Sequence, residues 1–218
     1  MVFYGGINMQ TKITRNNRAI RAIETKKSLF ESAISLFSEQ GYDTVTVDEI
    51  VSRAGTSKGA FYIHFKSKDA VIVEQFRQID SYYVSAFEQL SSSVFSNSTE
   101  KLLAFFLEVL KLAKEHLGLE IIKVVYSSQA GTTQKEDDKR KVLIDESRAI
   151  FEIINTIIEE GQNKGEIRTD ISSREITMLI TRCLRSILFD WCVNDGSFDV
   201  VEEGEKFFKI FIMKGLQA

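Results

Sequence analysis

The sequence predicts an all-α fold of about nine helices. Three observations carry that expectation. There is no proline in 218 residues, where average usage is about 5%. Proline breaks helix interiors but serves loops and edge strands, so a helical chain loses least by lacking it. Apolar residues also recur at i, i+3, i+4 and i+7 in one segment after another, the spacing of a single helix face. Finally, the segments open on Ser or Thr caps and stop at glycines, and no pair of period-two strands is evident. At 44% hydrophobic and 27% charged, the chain can bury a sizeable core and is not a disordered protein.

The elements follow in order. Residues 1–15 show no periodicity and read as a flexible basic arm. A helix over 18–40 carries Phe30, Ala33, Ile34 and Phe37 on one face and stops at Gly41. Thr46-Val47-Asp48-Glu49 is a capping box, with Thr46 and Glu49 able to satisfy each other's amides. It opens a short helix over 47–54 that stops at Gly55; the β-branched run 44–47 is too short for a strand. Thr56 or Ser57 caps a second short helix over 58–64, and Ser67 caps a longer one over 68–90. Beyond a Ser/Asn stretch, Leu102, Phe105, Phe106, Val109, Leu110 and Ala113 form an amphipathic stripe ending near Gly118. A shorter apolar helix spans 119–130 and ends at Gly131. Ile150, Ile153, Ile154, Ile157 and Ile158 mark the next, stopped by Gly161 and Gly165. Ser172-Ser173-Arg174-Glu175 is a second capping box, opening a helix that reaches Trp191. The last helix covers 200–214.

Charge is unevenly placed. The net charge of −3 averages a first 70 residues with ten basic and seven acidic side chains, and a remainder with 18 basic and 24 acidic. Such asymmetry is the mark of a basic module on an acidic body. Cys183 and Cys192 sit half a helical turn out of phase, so they read as buried, reduced core thiols of a cytoplasmic protein. No apolar run suits a signal peptide or a membrane span, so no membrane partner is expected. The sequon at Asn97 therefore carries little meaning.

The two short helices around Gly55-Thr56-Ser57 form a helix-turn-helix pattern, with Ile50, Ala54 and Phe61 as its internal packing. A plain αα-hairpin would share that outline. The flanking residues are more specific. Phe37, Gly41 and Tyr42 end the first helix; Thr46, Ile50, Ala54, Gly55 and Ser57 set out the second helix and turn; Lys58, Gly59, Phe61, Tyr62, His64, Phe65 and Lys68 follow. This run of about 50 residues resembles the N-terminal domain of the TetR family of bacterial transcriptional regulators. It departs from the usual family pattern only in detail: Val51 and Thr56 stand where Ala and Val are commoner, and Ile63 replaces a frequent aromatic or polar residue.

The resemblance implies a DNA-binding domain over 16–68 and a ligand-binding and dimerisation domain over 69–218. It also implies a double-stranded DNA operator, a second copy of the chain and a small effector as partners. Thr46 and Lys68 would meet phosphates. Ser57 and Lys58 would begin the recognition helix, with Lys58 on guanine or phosphate. Gly59 would let the backbone approach DNA, Tyr62 would give its hydroxyl to a phosphate, and His64 would lie at the DNA backbone. The arm residues Lys12, Arg15, Arg18 and Arg21 could add phosphate or minor-groove contacts, or form a solvated tail.

In the body, Phe105, Phe106, Val109, Tyr126, Phe151 and Phe189 are candidates for an effector pocket, although most aromatics of this kind are plain core. Sixteen phenylalanines favour a hydrophobic effector. Ile180, Leu184, Ile187, Trp191, Phe207, Phe208 and Phe211 are candidates for the dimer interface, because helices apolar over a broad face bury more than one side. No catalytic motif is present: there is no G-x-S-x-G, H-E-x-x-H or C-x-x-C, and the acidic run 136–138 lacks metal-loop spacing. No enzyme, cofactor or metal is therefore expected. The competing expectation is a DNA-binding protein of the same fold controlled by a protein partner; a remoter one is a helical enzyme.

Overall fold

The computed structural model describes residues 9–130 and 142–217, and no strand occurs among the described residues. The chain divides into two compact units, Met1–Val71 and Ile72–Ala218.

The first unit begins with α1, Met9–Gln40. Residues 9–15, expected as an irregular arm, therefore open this helix, while residues 1–8 and the side chains of Lys12 and Arg15 lie outside the described residues. Leu29, Ala33, Leu36 and Phe37 are its buried positions. Phe30 and Ile34 are only half-buried, because α2 and α3 cover a face centred slightly to one side of the expected stripe. Gly41 ends α1 at φ +85°, a conformation that side chains with a Cβ rarely adopt. α2 spans Val47–Arg53 and α3 spans Lys58–His64. Gly55 turns the chain between them at φ +63°, and the Thr56 amide donates to the Val51 carbonyl at 3.0 Å, closing the end of α2. Ile50 and Phe61 are fully buried between these helices, whereas Ala54 is half-buried. Phe61 continues onto Phe65, and Phe37 onto Tyr42, at ring separations of 5.7 and 5.0 Å.

α4, Lys68–Ser91, starts in the first unit and runs on into the second. There it is followed by α5, Ser98–Lys111, capped by the Asn97 side chain. A π-helical segment, Leu112–Leu117, leads to α6, Gly118–Ala130, with Gly118 at φ +78°. Gly131 and the charged run 136–141 lie outside the described residues. A short 3-10 turn, Val142–Ile144, precedes α7, Ala149–Asn163, and α8, Ser173–Val193. The Ser172 hydroxyl accepts the Glu175 amide at 3.2 Å and so caps α8. The final helical run is α9, Val200–Phe207, a π segment, Phe208–Ile212, and α10, Met213–Leu216. It extends past the expected end at 214 and is not one uniform helix.

The core of this second unit is built on α5, which packs on α7 and α9, with α8 against α7. Gly204 allows the close approach of α9, since a Cβ there would fall 2.1 Å from Leu110 Cδ1. Phe106 packs edge-on against Phe208 beside it, at 5.1 Å. Cys192 is buried and Cys183 only half-buried; both thiols are free, and burial pushes that of Cys192 up to about 11.

Candidate functional site

In the first unit, α3 is anchored by Phe61 and presents its other side to solvent. Ser57, Lys58 and Gly59 are exposed at its start, and the Ser57 hydroxyl accepts the Ala60 amide at 3.2 Å. One turn on, Tyr62 is 50% exposed and Ile63 is 81% exposed. A Cβ on Gly59 would have Ser57 Oγ, 3.8 Å away, as its nearest neighbour, so the backbone there is bare and approachable. His64 is half-buried at the helix end. Arg18 and Arg21 are exposed on α1.

Two polar groups of this surface are already engaged by carboxylates of the same chain. The Thr46 amide and hydroxyl both donate to the Glu49 carboxylate at 2.7 Å, while the hydroxyl accepts the Glu49 amide at 3.3 Å. These bonds hold the Glu49 carboxyl below its usual range. The Lys58 ammonium donates to Asp48 at 3.0 Å, which raises its pKa. A phosphate arriving at either group would replace an oxygen anion that is already there.

Arg53 and Lys68 face elsewhere. The Arg53 guanidinium grips both oxygens of Glu39 at 2.6 and 2.8 Å and also donates to Ser35, fastening α2 to α1. These contacts hold the Glu39 carboxyl at about 2. Lys68, expected to hold a phosphate, donates to the carbonyls of Tyr42 and Val45 at 2.6 and 3.0 Å, and lies 4.4 Å from the centre of the Tyr42 ring. Carbonyl oxygens and an aromatic face give the ammonium a local home, so its charge closes the turn after α1. Beside it, the Tyr42 hydroxyl donates to Asp69, and burial followed by that bond pushes the Tyr42 phenol well up.

The second unit holds a partly enclosed, mostly apolar cavity of about 60 Å³. Of the effector-pocket candidates, Val109, Tyr126 and Phe151 line it, together with Phe76, Tyr83 and Leu184. Two arginines also reach its wall, Arg148 and Arg185. Arg148 is clamped by Asp80 at 2.7 to 3.2 Å and stacks over the Phe76 ring at 4.5 Å. An open groove of about 480 Å³ adjoins it and shares Tyr126, Leu143 and Arg185 with it. Arg182 and Phe189 also line the groove, with Gln129, Ile144 and Ser186.

Comparison with known proteins gives these features their setting. Residues 29–74 match the family described as bacterial regulatory proteins, tetR family, and residues 76–214 match the YsiA-like protein, C-terminal region. The chain belongs to the tetR family of bacterial regulatory proteins. It is a DNA-binding transcriptional regulator with a helix-turn-helix at its N-terminal end. It is 22% identical over 173 residues to the "Fatty acid metabolism regulator protein" of Bacillus subtilis, covering 79% of this chain and 86% of that one. It is 20% identical over 188 residues to the "Probable acrEF/envCD operon repressor" of Escherichia coli, covering 84% and 82%. In fold it is similar to the crystal structure of FadR from Bacillus subtilis in complex with stearoyl-CoA, with a TM-score of 0.71 at 20% identity, covering 88% of this chain and 99% of that chain.

In this tetR-family regulator several candidate residues fall elsewhere than expected. Phe105 is buried among Tyr83 and Phe87, and Phe106 against Phe208, so neither lines the cavity. Phe189 is 53% exposed and stacks edge-on with Tyr126 in the groove. Among the interface candidates, Phe208 is fully buried, and Ile180, Leu184 and Trp191 nearly so, within this one subunit. The Trp191 indole donates to the Phe198 carbonyl at 3.1 Å. Ile187 and Phe207 are half-buried, and Phe211 is 63% exposed. These candidates share helix faces, but the packing of α5 and α6 takes up one side of each face. The solvent-facing apolar residues are Leu179, Phe189 and Val193 on α8, with Ile210 and Phe211 further on. Arg185, which lines both the cavity and the groove, is not among the sequence candidates. Its signal was visible: Thr181, Leu184, Arg185 and Leu188 follow the i, i+3, i+4, i+7 spacing, which puts a cation on an apolar stripe.

Proposed function

We propose that this regulator is a cytoplasmic repressor that binds a palindromic operator as a homodimer and is released by a small hydrophobic effector. The observation that carries the reading is the exposed side of α3, with Ser57, Lys58, Gly59 and Tyr62 in one patch behind a capped, positively ended helix. Lys58 would exchange Asp48 for a guanine edge or a phosphate, and the Thr46 amide would exchange Glu49 for a phosphate. His64, with Arg18 and Arg21, would add backbone contacts. Two copies would present two such helices about 34–36 Å apart, one turn of duplex. The exposed apolar residues Leu179, Val193, Ile210 and Phe211, with Ile187 and Phe207, are the surface we assign to the second copy.

The apolar cavity supports a hydrophobic effector, as does the likeness to a fatty acid metabolism regulator. At about 60 Å³, it holds a few waters, whereas ligand pockets run to about 300–1,000 Å³. The effector must therefore widen it. Ala113 and Leu117 on its wall belong to the π-helical segment, a kind of ladder irregularity that recurs at functional sites. Widening would shift the population between DNA-competent and DNA-incompetent forms. The test is fluorescence anisotropy with a duplex selected from a random pool by the protein itself. The expected result is a palindromic duplex, bound by a dimer in light scattering, with affinity falling steeply as salt rises. A non-palindromic duplex bound by a monomer overturns the reading.

A further inference from the structure

We infer that Ile63 takes part in reading the operator, by packing its side chain against the 5-methyl group of a thymine in the major groove. This rests on the reading above of α3 as the helix laid into the groove, and says what one side of that helix selects. The observation is an apolar side chain left in water. Ile63 is 81% exposed, the most exposed isoleucine among the described residues. Single apolar residues on a surface are ordinary, so its place on the helix decides the matter. Two residues along a helix turn through about 200°. Gly59 and Ile63 therefore both lie nearly opposite Phe61, the buried anchor of α3, and Ile63 stands one turn beyond Gly59. Gly59 has no side chain to hold a partner off. A surface drawn up to the bare backbone there meets Ile63 next.

The chemistry of Ile63 narrows what it can meet. Its side chain neither donates nor accepts a hydrogen bond, so it gains nothing from a phosphate or from the polar edges of guanine, adenine and cytosine. The other exposed side chains of the patch, Ser57, Lys58 and Tyr62, are polar at their ends and can serve those groups. In the major groove the thymine methyl is the apolar feature that marks a base pair. Ile63 is β-branched and stiff about χ1, so it gives up little freedom when it packs there. Tyr62 stands edge-on to Phe61 at a ring separation of 5.5 Å, which keeps its ring towards the anchored side and leaves the outer side to Gly59 and Ile63. Packing on a deoxyribose instead would carry no preference for a base.

Anisotropy titrations of the full chain with the selected duplex test this, each thymine being replaced in turn by deoxyuridine, which lacks only the 5-methyl group. At least one thymine of a half-site should be sensitive, its replacement weakening binding about fourfold, the worth of one buried methyl group. Ile63→Ala should bind the thymine duplex about fourfold or more weakly than the wild-type chain and be indifferent to uracil at that position. Ile63→Val should keep part of the discrimination. The readout is the ratio of two duplexes on one variant, so a general loss of folding does not mimic it. A selected half-site without thymine, uracil silent at every thymine, or a sensitive thymine that stays sensitive in Ile63→Ala overturns the inference. Lys58→Ala separates that failure from failure of the reading beneath it. If Lys58→Ala weakens binding while every uracil is silent, α3 still faces DNA and only the assignment of Ile63 falls. If Lys58→Ala and Ile63→Ala both bind as the wild-type chain does, both fall.

Discussion

The two units handle charge in opposite ways. In the first, cations and carboxylates pair at the surface between neighbouring helices, as Arg53 does with Glu39 and Lys58 with Asp48. Water and salt reach both pairs, and the single contact of Lys58 with Asp48 is weak and exchangeable. In the second, Arg148 is buried with Asp80 beside an apolar cavity, where a lost partner cannot be replaced by solvent. The difference suits the two tasks. Under the proposed function, a surface that gives up a carboxylate to a polyanion needs a weak pair, whereas the wall of an effector pocket needs its charges held fixed in place.

Breaking the buried pair should have the largest effect. Asp80→Ala leaves Arg148 uncompensated and should cost the second unit about 3 kcal/mol in urea unfolding, with Asp80→Asn costing less. Next come the surface cations. Lys58→Ala should weaken binding of the selected duplex about tenfold or more with an unchanged melting temperature. Arg53→Ala should do the reverse, lowering thermal stability with a smaller loss of affinity, because its guanidinium is occupied by Glu39 and Ser35. If the two variants lose affinity equally, the division between reading and bracing residues is wrong. A smaller effect, of opposite sign, is expected from Asp48→Asn. Removing the carboxylate that occupies Lys58 should tighten DNA binding by about two- to fivefold at low salt, and the gain should shrink as salt rises.

The mildest probe is acid. The folded Glu39 carboxyl titrates near 2 against an ordinary 4.5, so the folded state takes up its proton less readily than the unfolded chain. Its contribution is complete above the ordinary value and is lost as the pH falls from about 4.5 towards 2. Thermal melts between pH 6 and pH 2 should show that decline in the wild type, and Glu39→Gln should flatten it.

What could be read from the sequence followed the same division. The start of α2 at Thr46, the turn at Gly55 and the span of α3 depend on caps and glycines within a few residues, and all three fall where the spacing places them. Contacts across the chain were less legible. Lys68 was assigned to DNA because its nearest acceptors, the carbonyls of 42–45, lie more than twenty residues away in sequence. The start of α1 at Met9 left no apolar period to detect. In the body the stripes were correct as helices, yet which aromatic lines a cavity and which fills the core depends on the register of α5 against α7, α8 and α9. That is why Phe105 and Phe106 lie in the core while Val109, four and three residues further on, reaches the cavity. The π-helical segments have no simple repeat and were not foreseen.

The clamp on the first turn of α4 has a mechanical consequence. Lys68 and Asp69 are both bound to the turn that follows α1, through the Tyr42 and Val45 carbonyls and the Tyr42 hydroxyl. That turn runs directly into Thr46, the cap of α2. The root of α4 is therefore tied to the segment that positions α2. Any change in residues 42–46 would reach the first turn of α4 and the cap of the helix-turn-helix together.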